Sequence, residues 1–241
     1  MPYVNITNLT KQYKNTTAVD GLNLCIHQGE LFALLGLNGA GKSTTIHMLS
    51  CLTRPTDGDA TVGGYSITSD QAEVKRLIAV SPQETAVAPL LTVEENLQLI
   101  CGIHGLTKEK NREKVRQLAE QLHLQSVMDK RASTLSGGYG RRLSIAMALV
   151  GEPHLLFLDE PTLGLDVIAR SDLWDIIRRL KGQVTIVLTT HYMEEAAALA
   201  DRVGIMDSGR LLAVGTVAEL THRAQASTLE EAFIRIVKEG T

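Results

Sequence analysis

The chain has 241 residues, of which 44% are apolar and 21% charged. It carries 24 Lys and Arg against 27 Asp and Glu, so its formal net charge is −3. That balance excludes the strongly basic composition of proteins that bind nucleic acid through its phosphates, and we expect no nucleic-acid partner. The length and apolar fraction are those of a globular protein that folds without disulfide or metal support.

Cysteine usage and hydropathy limit the class of protein further. Cys25, Cys51 and Cys101 are scattered with no Cys/His cluster, which predicts free thiols in a reducing cytosol and no zinc site. The first residues lack a basic stretch followed by an apolar one, so we expect no secretory signal. No run of 18 apolar residues occurs, so we expect no membrane-spanning helix.

The N-terminal part of the chain predicts three strands followed by a helix. Apolar residues alternate over residues 3–9 and 19–26, a pattern typical of antiparallel strands. The unbroken apolar run at residues 31–35 predicts a strand buried on both faces, as in a parallel sheet. After a glycine-rich stretch, residues 42–52 have the apolar spacing of a helix.

The middle of the chain, residues 84–150, has almost no strand signal. A Thr-x-x-Glu capping box opens a helix predicted at residues 92–100. Residues 107–122 predict a second helix with an apolar stripe and a solvated face of mixed charge, and residues 137–150 predict a third. We interpret this section as a helical subdomain inserted into an α/β core.

Strands return in the last third of the chain. Residues 154–158 and 184–189 predict strands separated by a helix at 169–181, an alternation typical of a parallel sheet. Residues 203–206 and 210–214 flank an Asp-Ser-Gly turn and predict a hairpin.

Two further helices are predicted at the C-terminal end. Each begins with a capping-box pattern, Thr216 with Glu219 and Ser227 with Glu230. The chain is therefore predicted to form a single α/β domain over residues 1–241, with a mainly parallel sheet, an N-terminal antiparallel β region and the inserted helical subdomain. Its predicted parts are an α/β core at residues 1–83 and 151–215, the helical subdomain at 84–150, and a C-terminal helical tail at 216–241.

Residues 36–43, which we call the phosphate loop, carry the strongest motif of the chain. They fit GxxxxGK[ST] between a buried strand and a helix, which is the setting of a P-loop; the alternative is a glycine-rich turn with a chance match. Glycines let successive N–H groups point inward, and the helix N-terminus adds positive potential for an anion. Lys42 can reach the β- and γ-phosphates of a nucleotide, and the Ser43 hydroxyl can bind Mg²⁺. The nucleotide-binding residues predicted here are Gly36, Leu37, Asn38, Gly39, Ala40, Gly41, Lys42, Ser43 and Thr44.

Two carboxylates follow the apolar residues 155–158. Asp159, at the carboxyl end of the predicted strand, is placed to hold the Mg²⁺ shell beside the phosphate loop. Glu160 is placed to orient or deprotonate an attacking water. The alternative is that this Asp-Glu pair only begins a polar loop.

A third motif, Leu-Ser-Gly-Gly-Tyr, occupies residues 135–139. Ser136 is a plausible helix N-cap, and the two glycines expose N–H groups at the start of the helix. The motif is either an ordinary entry into a helix or a second anion site.

Together these motifs resemble the nucleotide-binding domain of ABC transporters. The ordered set comprises the phosphate loop, Gln83, residues 135–139, residues 155–160, Gly164-Leu165-Asp166 and His191. It covers nearly the whole chain, from Tyr13 to the hairpin near residue 214, and other P-loop kinases and GTPases lack the Ser-Gly-Gly motif. The resemblance implies a P-loop NTPase core that binds ATP and Mg²⁺ and hydrolyses ATP.

The resemblance also implies roles for single residues. Tyr13 would stack on adenine, although the alternative is an aromatic buried in a strand. Gln83 would touch Mg²⁺ or the attacking water and move with a membrane partner. His191 would contact the γ-phosphate, although a lone His after a strand is more often a satisfied polar residue. Asp166 would cross a dimer interface.

The predicted site can be grouped by role. The predicted catalytic residues are Glu160, His191 and Gln83; the predicted metal ligands are Ser43, Gln83 and Asp159; and the further nucleotide-binding residues are Tyr13, Ser136, Gly137, Gly138 and Asp166. Some positions depart from the commonest family pattern without removing a phosphate ligand. Leu37 and Val167 stand where proline is frequent, and Tyr139-Gly140 replaces Gln or Met followed by Gln.

One copy of the chain is predicted to hold only half of a site. Ser136 lies 94 residues after Lys42 (136 − 42) in the predicted helical subdomain, so we expect residues 136–138, the signature loop, to face away from the nucleotide of their own chain. In a head-to-tail pair with two-fold symmetry, each signature loop would cap the γ-phosphate held by the other copy. We therefore expect a second nucleotide-binding subunit as partner, most simply in a homodimer.

The resemblance further implies a separate membrane permease, with this chain cytoplasmic and peripheral on the inner face of the cell membrane. In the family a short helix of the permease enters a groove near residues 83–103. Residues 86–91 are apolar and either contribute to that groove or are simply buried. The predicted C-terminal helix resembles the tail of the ABC-2 exporter group, which moves drugs, antibiotics, lipids or sodium.

Two other functions remain open from the sequence. A soluble ABC ATPase acting on ribosomes or DNA usually has two cassettes with a charged linker or long inserted coiled coils, whereas this chain shows one cassette and no heptads. A P-loop kinase would need a substrate lid and would not need the Ser-Gly-Gly motif.

Overall fold

Two β-sheets organise the structure, a computed structural model that describes residues 2–240. The strands are β1 Pro2–Tyr13, β2 Thr16–His27, β3 Leu31–Leu35, β4 Asp57–Val62, β5 Tyr65–Ser66, β6 Ile78–Ser81, β7 Leu155–Asp159, β8 Thr185–Thr190, β9 Arg202–Asp207 and β10 Arg210–Gly215. The α-helices are α1 Lys42–Leu49, α2 Gln71–Leu77, α3 Val93–Ile103, α4 Lys108–Gln121, α5 Gly137–Leu149, α6 Val167–Leu180, α7 Met193–Leu199, α8 Val217–Arg223 and α9 Leu229–Gly240.

The larger sheet has six strands in the order β10-β9-β3-β8-β7-β6. Its strands β9, β3, β8, β7 and β6 run parallel, and β10 pairs antiparallel with β9 as the predicted hairpin. Parallel neighbours need long crossover connections, which the helices between them supply. The predicted α/β fold with a mainly parallel sheet is confirmed.

Strand β3 lies at the centre of this sheet and is buried on both faces. Leu31, Ala33 and Leu35 pack into one hydrophobic core with the helices α3 to α9. Phe32 and Leu34 pack into a second core, between this sheet and the smaller one. Because successive side chains of a strand point to opposite faces, an unbroken apolar run is satisfied only between two covering layers.

The smaller sheet is antiparallel, in the order β2-β1-β4-β5. It contains the predicted N-terminal β region, although β1 and β2 extend beyond the residues whose alternation predicts them. Sequence reasoning missed β4, β5, α2, β6 and the seven-residue helix α7. Strand β4 reads Asp-Gly-Asp-Ala-Thr-Val, with little apolar signal, and β6 has only 4 residues that follow α2 directly. Such short segments carry too few residues for periodicity to identify them.

Helices α3, α4 and α5 lie between β6 and β7 along the chain and build the helical side of the first core. The capping box at α3 is formed: the Thr92 hydroxyl accepts from the Glu95 N–H at 3.1 Å, and the Glu95 carboxylate accepts from the Thr92 N–H at 2.7 Å. On α4 the apolar stripe is buried, as its spacing predicts. The boundaries given above for core, helical subdomain and tail stay predictions.

One of the two C-terminal capping boxes was misplaced by a residue. The box of Thr216 and Glu219 is formed. At α9, however, the Thr228 hydroxyl accepts from the Glu231 N–H at 3.2 Å, and the Glu231 carboxylate accepts from the Ser227 N–H at 2.8 Å, so the pairing of Ser227 with Glu230 is wrong. Leu229, the first helical residue, is buried against the core, and its burial fixes which hydroxyl stands at the helix start.

Within residues 2–240, no helix combines the length and apolar character that crossing a membrane requires.

Candidate functional site

The carboxyl ends of four parallel strands bring the predicted site residues to one edge of the larger sheet. The phosphate loop follows β3, and Asp159 ends β7 with Glu160 directly after it. His191 follows β8, and Gln83 lies two residues after β6. Since all carboxyl ends of a parallel sheet lie at the same edge, residues distant in sequence meet there. This edge is where ligands bind in open α/β sheets.

The phosphate loop has a backbone shape that requires glycine at defined positions. Gly39 and Gly41 have φ angles of 85° and 101°, in the left-handed region. At Gly36 a Cβ atom would lie 2.5 Å from the Met206 carbonyl oxygen, and at Gly41 it would collide with the carbonyl oxygen of Ala18. Helix α1 begins directly after Gly41, so its positive end lies beside the loop and favours an anion.

A cavity of about 620 Å³ opens beside this loop, a size within the usual range for small-molecule sites. It is lined by Tyr13, Thr16, Thr17, Ala18, Asn38, Gly39, Ala40, Gly41, Lys42, Ser43, Thr44, Gln83, Glu160, Leu163 and His191. Tyr13 is 47% exposed at this cavity, so the alternative of a buried strand aromatic is wrong. The Lys11 ammonium lies 4.9 Å from the centre of its ring, and an aromatic ring at this place can stack on a planar ligand.

Lys42 is the only cation among these lining residues, and it is almost fully buried. Its ammonium donates to the carbonyl oxygens of Gly36 at 2.8 Å and Leu37 at 3.2 Å. It also lies 3.2 Å from Glu160 Oε1. Gly36 and Leu37 do not line the cavity themselves within the described chain; they hold the lysine through their carbonyl groups.

Ser43 and Asp159 form a pair of hard oxygen groups: among the described residues Ser43 lines the cavity, and Asp159 is buried directly behind it. The Ser43 hydroxyl donates to Asp159 Oδ1 at 3.1 Å, although the two residues are 116 positions apart. The Thr189 hydroxyl donates to the same oxygen at 2.5 Å and fixes the carboxylate. A hydroxyl and a carboxylate at this distance are a donor set that suits Mg²⁺.

Glu160 joins the lysine to the histidine. Its Oε2 lies 2.8 Å from His191 Nδ1, and its Oε1 makes the contact with Lys42. The Glu160 backbone has a φ of 47°, and its N–H donates to Thr189 Oγ1 at 3.1 Å. A left-handed conformation is costly for a glutamate, so the surrounding contacts hold this side chain in a defined position.

The remaining predicted residues lie elsewhere. In the chain as described, neither the signature loop nor Asp166 lines the cavity that contains Lys42. Ser136 is exposed, and Asp166 caps α6 by accepting from the Ala169 N–H at 2.9 Å. A Cβ atom on Gly138 would lie 3.0 Å from Ala169, so the start of α5 packs against the start of α6. The signature loop and Asp166 therefore share a surface separate from their own nucleotide cavity.

Several residues at the site were not predicted. Thr16, Thr17, Ala18 and Leu163 line the cavity, and Thr189 orients Asp159. The position of Thr189 near the carboxyl end of a predicted strand was a usable signal. No sequence pattern marked the threonines after Tyr13, because their place depends on the packing of the smaller sheet against the phosphate loop.

A buried carboxyl behind the cavity was also missed. Glu195 on α7 is fully buried, and burial raises its pKa, with a further increase from the charge of Glu160. Trp174 Nε1 donates to its Oε1 at 3.2 Å, and the nearby Thr190 and Thr162 hydroxyls also oppose the increase. Its Oε2 has no partner of hydrogen-bond geometry among the described residues.

Residues 19–163 match the family model described as ABC transporter. The daunorubicin/doxorubicin resistance ATP-binding protein of Streptomyces peucetius is 44% identical over 218 residues, which are 90% of this chain and 66% of that protein. The linearmycin resistance ATP-binding protein of Bacillus subtilis is 39% identical over 234 residues, which are 97% of this chain and 75% of that protein. The chain thus spans about two thirds to three quarters of these relatives.

One solved structure has the same fold as this chain. It is an ATP-binding cassette in a dimeric post-hydrolysis state bound to ADP and Pi. It is 27% identical to this chain, with a TM-score of 0.80 over 88% of this chain and 98% of that one. Together with the relatives, it does not favour a soluble ATPase acting on ribosomes or DNA.

Proposed function

The chain belongs to the ABC transporter family, and from this we propose that it is the subunit that binds and hydrolyses ATP to power a membrane transporter. The observation that carries the proposal is the meeting of Lys42, Ser43 and Glu160 at one cavity on the edge of a parallel sheet, with Asp159 buried beside it and bonded to Ser43. The reaction is Mg²⁺-dependent hydrolysis of the γ-phosphate of ATP.

ATP binding uses groups that are already in place. The N–H groups of the phosphate loop and the end of α1 surround the phosphates, and Lys42 contributes the positive charge. The Tyr13 ring stacks on the adenine at the other end of the cavity. A phosphate oxygen that binds Lys42 replaces its contact with Glu160 Oε1.

The metal ligands are Ser43, Asp159 and Gln83. The hydroxyl and the carboxylate are already 3.1 Å apart, and Gln83 lines the same cavity. The chemistry supplied by bound Mg²⁺ is neutralisation of charge on the β- and γ-phosphates. Thr189 keeps the Asp159 carboxylate oriented toward Ser43 through its own hydrogen bond.

Glu160 is the general base. Once Lys42 turns to a phosphate, Glu160 Oε1 is free to accept a proton from the attacking water. His191 holds the other carboxylate oxygen and lies at the cavity, where it contacts the γ-phosphate. The base is therefore paired with the same cation that binds the substrate phosphate.

The second half of the site comes from another copy of the chain. Ser136 and Gly137 of the signature loop are exposed and, in the described structure, do not line the cavity of their own chain, which supports a loop that caps the nucleotide of a partner. We take the partner to be identical, so that two-fold symmetry builds two equal sites. Asp166, beside the signature loop, contributes to the same interface.

Closure of this pair moves a separate permease, with the chain peripheral on the inner face of the membrane. Leu90 and Ile103 are 75% and 71% exposed, which supports a docking groove near residues 83–103. In this proposal residues 86–91 contribute to the groove, and Leu90 is a large exposed apolar side chain among them. The permease exports small molecules, in line with the drug-resistance names of the two relatives.

A complementation experiment tests the shared site. Lys42→Ala removes the phosphate cation, and Ser136→Arg blocks the exposed signature loop without touching the core. Each variant alone should lose ATP hydrolysis. In an equal mixture half of the dimers pair the two variants, and each such dimer contains one intact site, so about a quarter of wild-type phosphate release should return.

The matched control is a mixture of Lys42→Ala with the double variant Lys42→Ala/Ser136→Arg, which restores no site. Absence of recovery in the first mixture, with both variants folded and able to dimerise, would contradict the shared site. Full activity of Ser136→Arg alone would show that the signature loop plays no part.

A further inference from the structure

Arg141 is a buried cation to which the mechanism above assigns no role. It lies on α5, five residues after Ser136, and is only 5% exposed. Its Nη1 donates to the Pro82 carbonyl oxygen at 2.5 Å, and its Nη2 donates to the Gln83 carbonyl oxygen at 2.6 Å. The two donors of one guanidinium thus hold two consecutive peptide groups.

The first part of the segment held in this way has little other support: among the described residues, residues 83–87 make no other hydrogen bond, whereas residues 88–92 are bonded to Asn96, Ala132 and Ser133. Residues 82–92 connect β6 to α3 and contain no helix or strand, so no regular hydrogen-bond ladder fixes Gln83. One turn further along α5, the Ser144 hydroxyl lies 2.9 Å from that of Ser81. One face of α5 therefore forms hydrogen bonds with three consecutive residues, 81, 82 and 83.

The charge of Arg141 is maintained in its buried position. Burial lowers its pKa, while the carboxylates of Asp159 and Glu195 oppose that decrease. A guanidinium stays protonated in proteins, and its planar fork suits two adjacent acceptors better than an ammonium does. Hydrogen bonds from a charged donor are stronger than neutral ones.

We propose that Arg141 is a positioning residue that sets the place of Gln83 in the nucleotide cavity and ties it to α5, the helix that begins with the signature loop. A shift of α5 is then transmitted to Gln83 through the two carbonyl contacts. The inference rests on the proposed function, because it assigns Gln83 to the metal and water of that site. Arg141 itself touches neither.

The test combines substitutions at two positions in the full chain. Arg141→Met removes the fork at similar length, and Arg141→Lys keeps the charge but not the paired donors. Both should lower kcat for ATP hydrolysis, Met by about tenfold to a hundredfold, the loss expected when a reacting group is displaced by about 1 Å. In a Gln83→Ala background, Arg141→Met should have little further effect, because the side chain it positions is already absent.

Arg142→Met is the matched control. Arg142 is also buried on α5, but it pairs with Asp172 at 2.8 Å and does not contact the 82–83 peptide groups. Arg142→Met should act independently of Gln83. In the double variant with Gln83→Ala, the fold-losses in kcat of the two single variants should therefore multiply. Hydrogen exchange gives a readout independent of activity: amides of residues 82–92 should exchange faster in Arg141→Met than in wild type or Arg142→Met.

Each outcome bears on the proposal in a defined way. The proposal would be overturned if Arg141→Met lowered kcat by the same factor in the wild-type and Gln83→Ala backgrounds and left hydrogen exchange at residues 82–92 unchanged. A wild-type chain without ATPase activity would instead count against the proposed function, and the exchange comparison would still decide whether Arg141 holds the segment. If Arg141→Met does not fold, the same comparison is made with Arg141→Lys.

Discussion

Replacing Glu160 by glutamine should stop ATP turnover and at the same time tighten ATP binding. The carboxylate is buried and lies 3.2 Å from the Lys42 ammonium and 2.8 Å from His191. Glutamine has nearly the same shape but cannot accept a proton from water at neutral pH. Loss of a general base costs roughly a hundredfold to ten-thousandfold in rate.

The gain in affinity follows from the pairing of Glu160 with Lys42. A phosphate that binds Lys42 must replace the contact with Glu160, and a hydrogen bond to a charged group contributes about 1.5–3 kcal/mol against about 1 kcal/mol for a neutral one. The difference, about 0.5–2 kcal/mol, corresponds to roughly twofold to thirtyfold tighter binding. Removing a negative charge next to the triphosphate acts in the same direction.

Three measurements check this prediction. Phosphate release gives turnover, calorimetry with a non-hydrolysable ATP analogue gives affinity, and size-exclusion chromatography with light scattering shows whether Mg·ATP traps a dimer. Glu152→Gln is the control, since Glu152 is an exposed partner of Lys114 outside the cavity and should leave all three unchanged. Turnover within a few-fold of wild type would refute the role of Glu160 as base, and weaker analogue binding would refute the competition for Lys42.

Two other changes test separate parts of the structure. Tyr13→Ala should weaken ATP binding by about 1–3 kcal/mol, the usual contribution of aromatic stacking on a base, whereas Tyr13→Phe should retain it; calorimetry distinguishes the two, and equal affinity in Tyr13→Ala would remove the residue from the site. Glu195→Gln should stabilise the fold more at pH 8 than at pH 5. Burial raises the pKa of Glu195 in the folded chain, so the wild-type protein loses stability as the pH rises above 4.5, the ordinary pKa of a glutamate, whereas the glutamine variant has no such loss. Urea unfolding at both pH values measures this, and a benefit confined to pH 5 would contradict the burial argument.

The family and the α/β fold predicted from the sequence are confirmed, because both depend on local patterns. An unbroken apolar run predicts β3 since only a strand between two layers buries every side chain. The phosphate loop is equally local: its glycines adopt backbone angles that other residues avoid, and α1 begins at the next residue. The elements missed between residues 53 and 83 are short, and they take their form from the sheets that they join.

The sequence by itself determined which chemical groups the site would contain, because a motif specifies residue types at fixed spacing. Only the tertiary structure decided how they pair. Glu160 contacts Lys42 and His191, which lie far from it in the chain. Arg141 likewise donates hydrogen bonds to the distant Pro82 and Gln83 carbonyl groups. Such contacts depend on strand order and helix packing, which bring distant residues together and which no local pattern encodes.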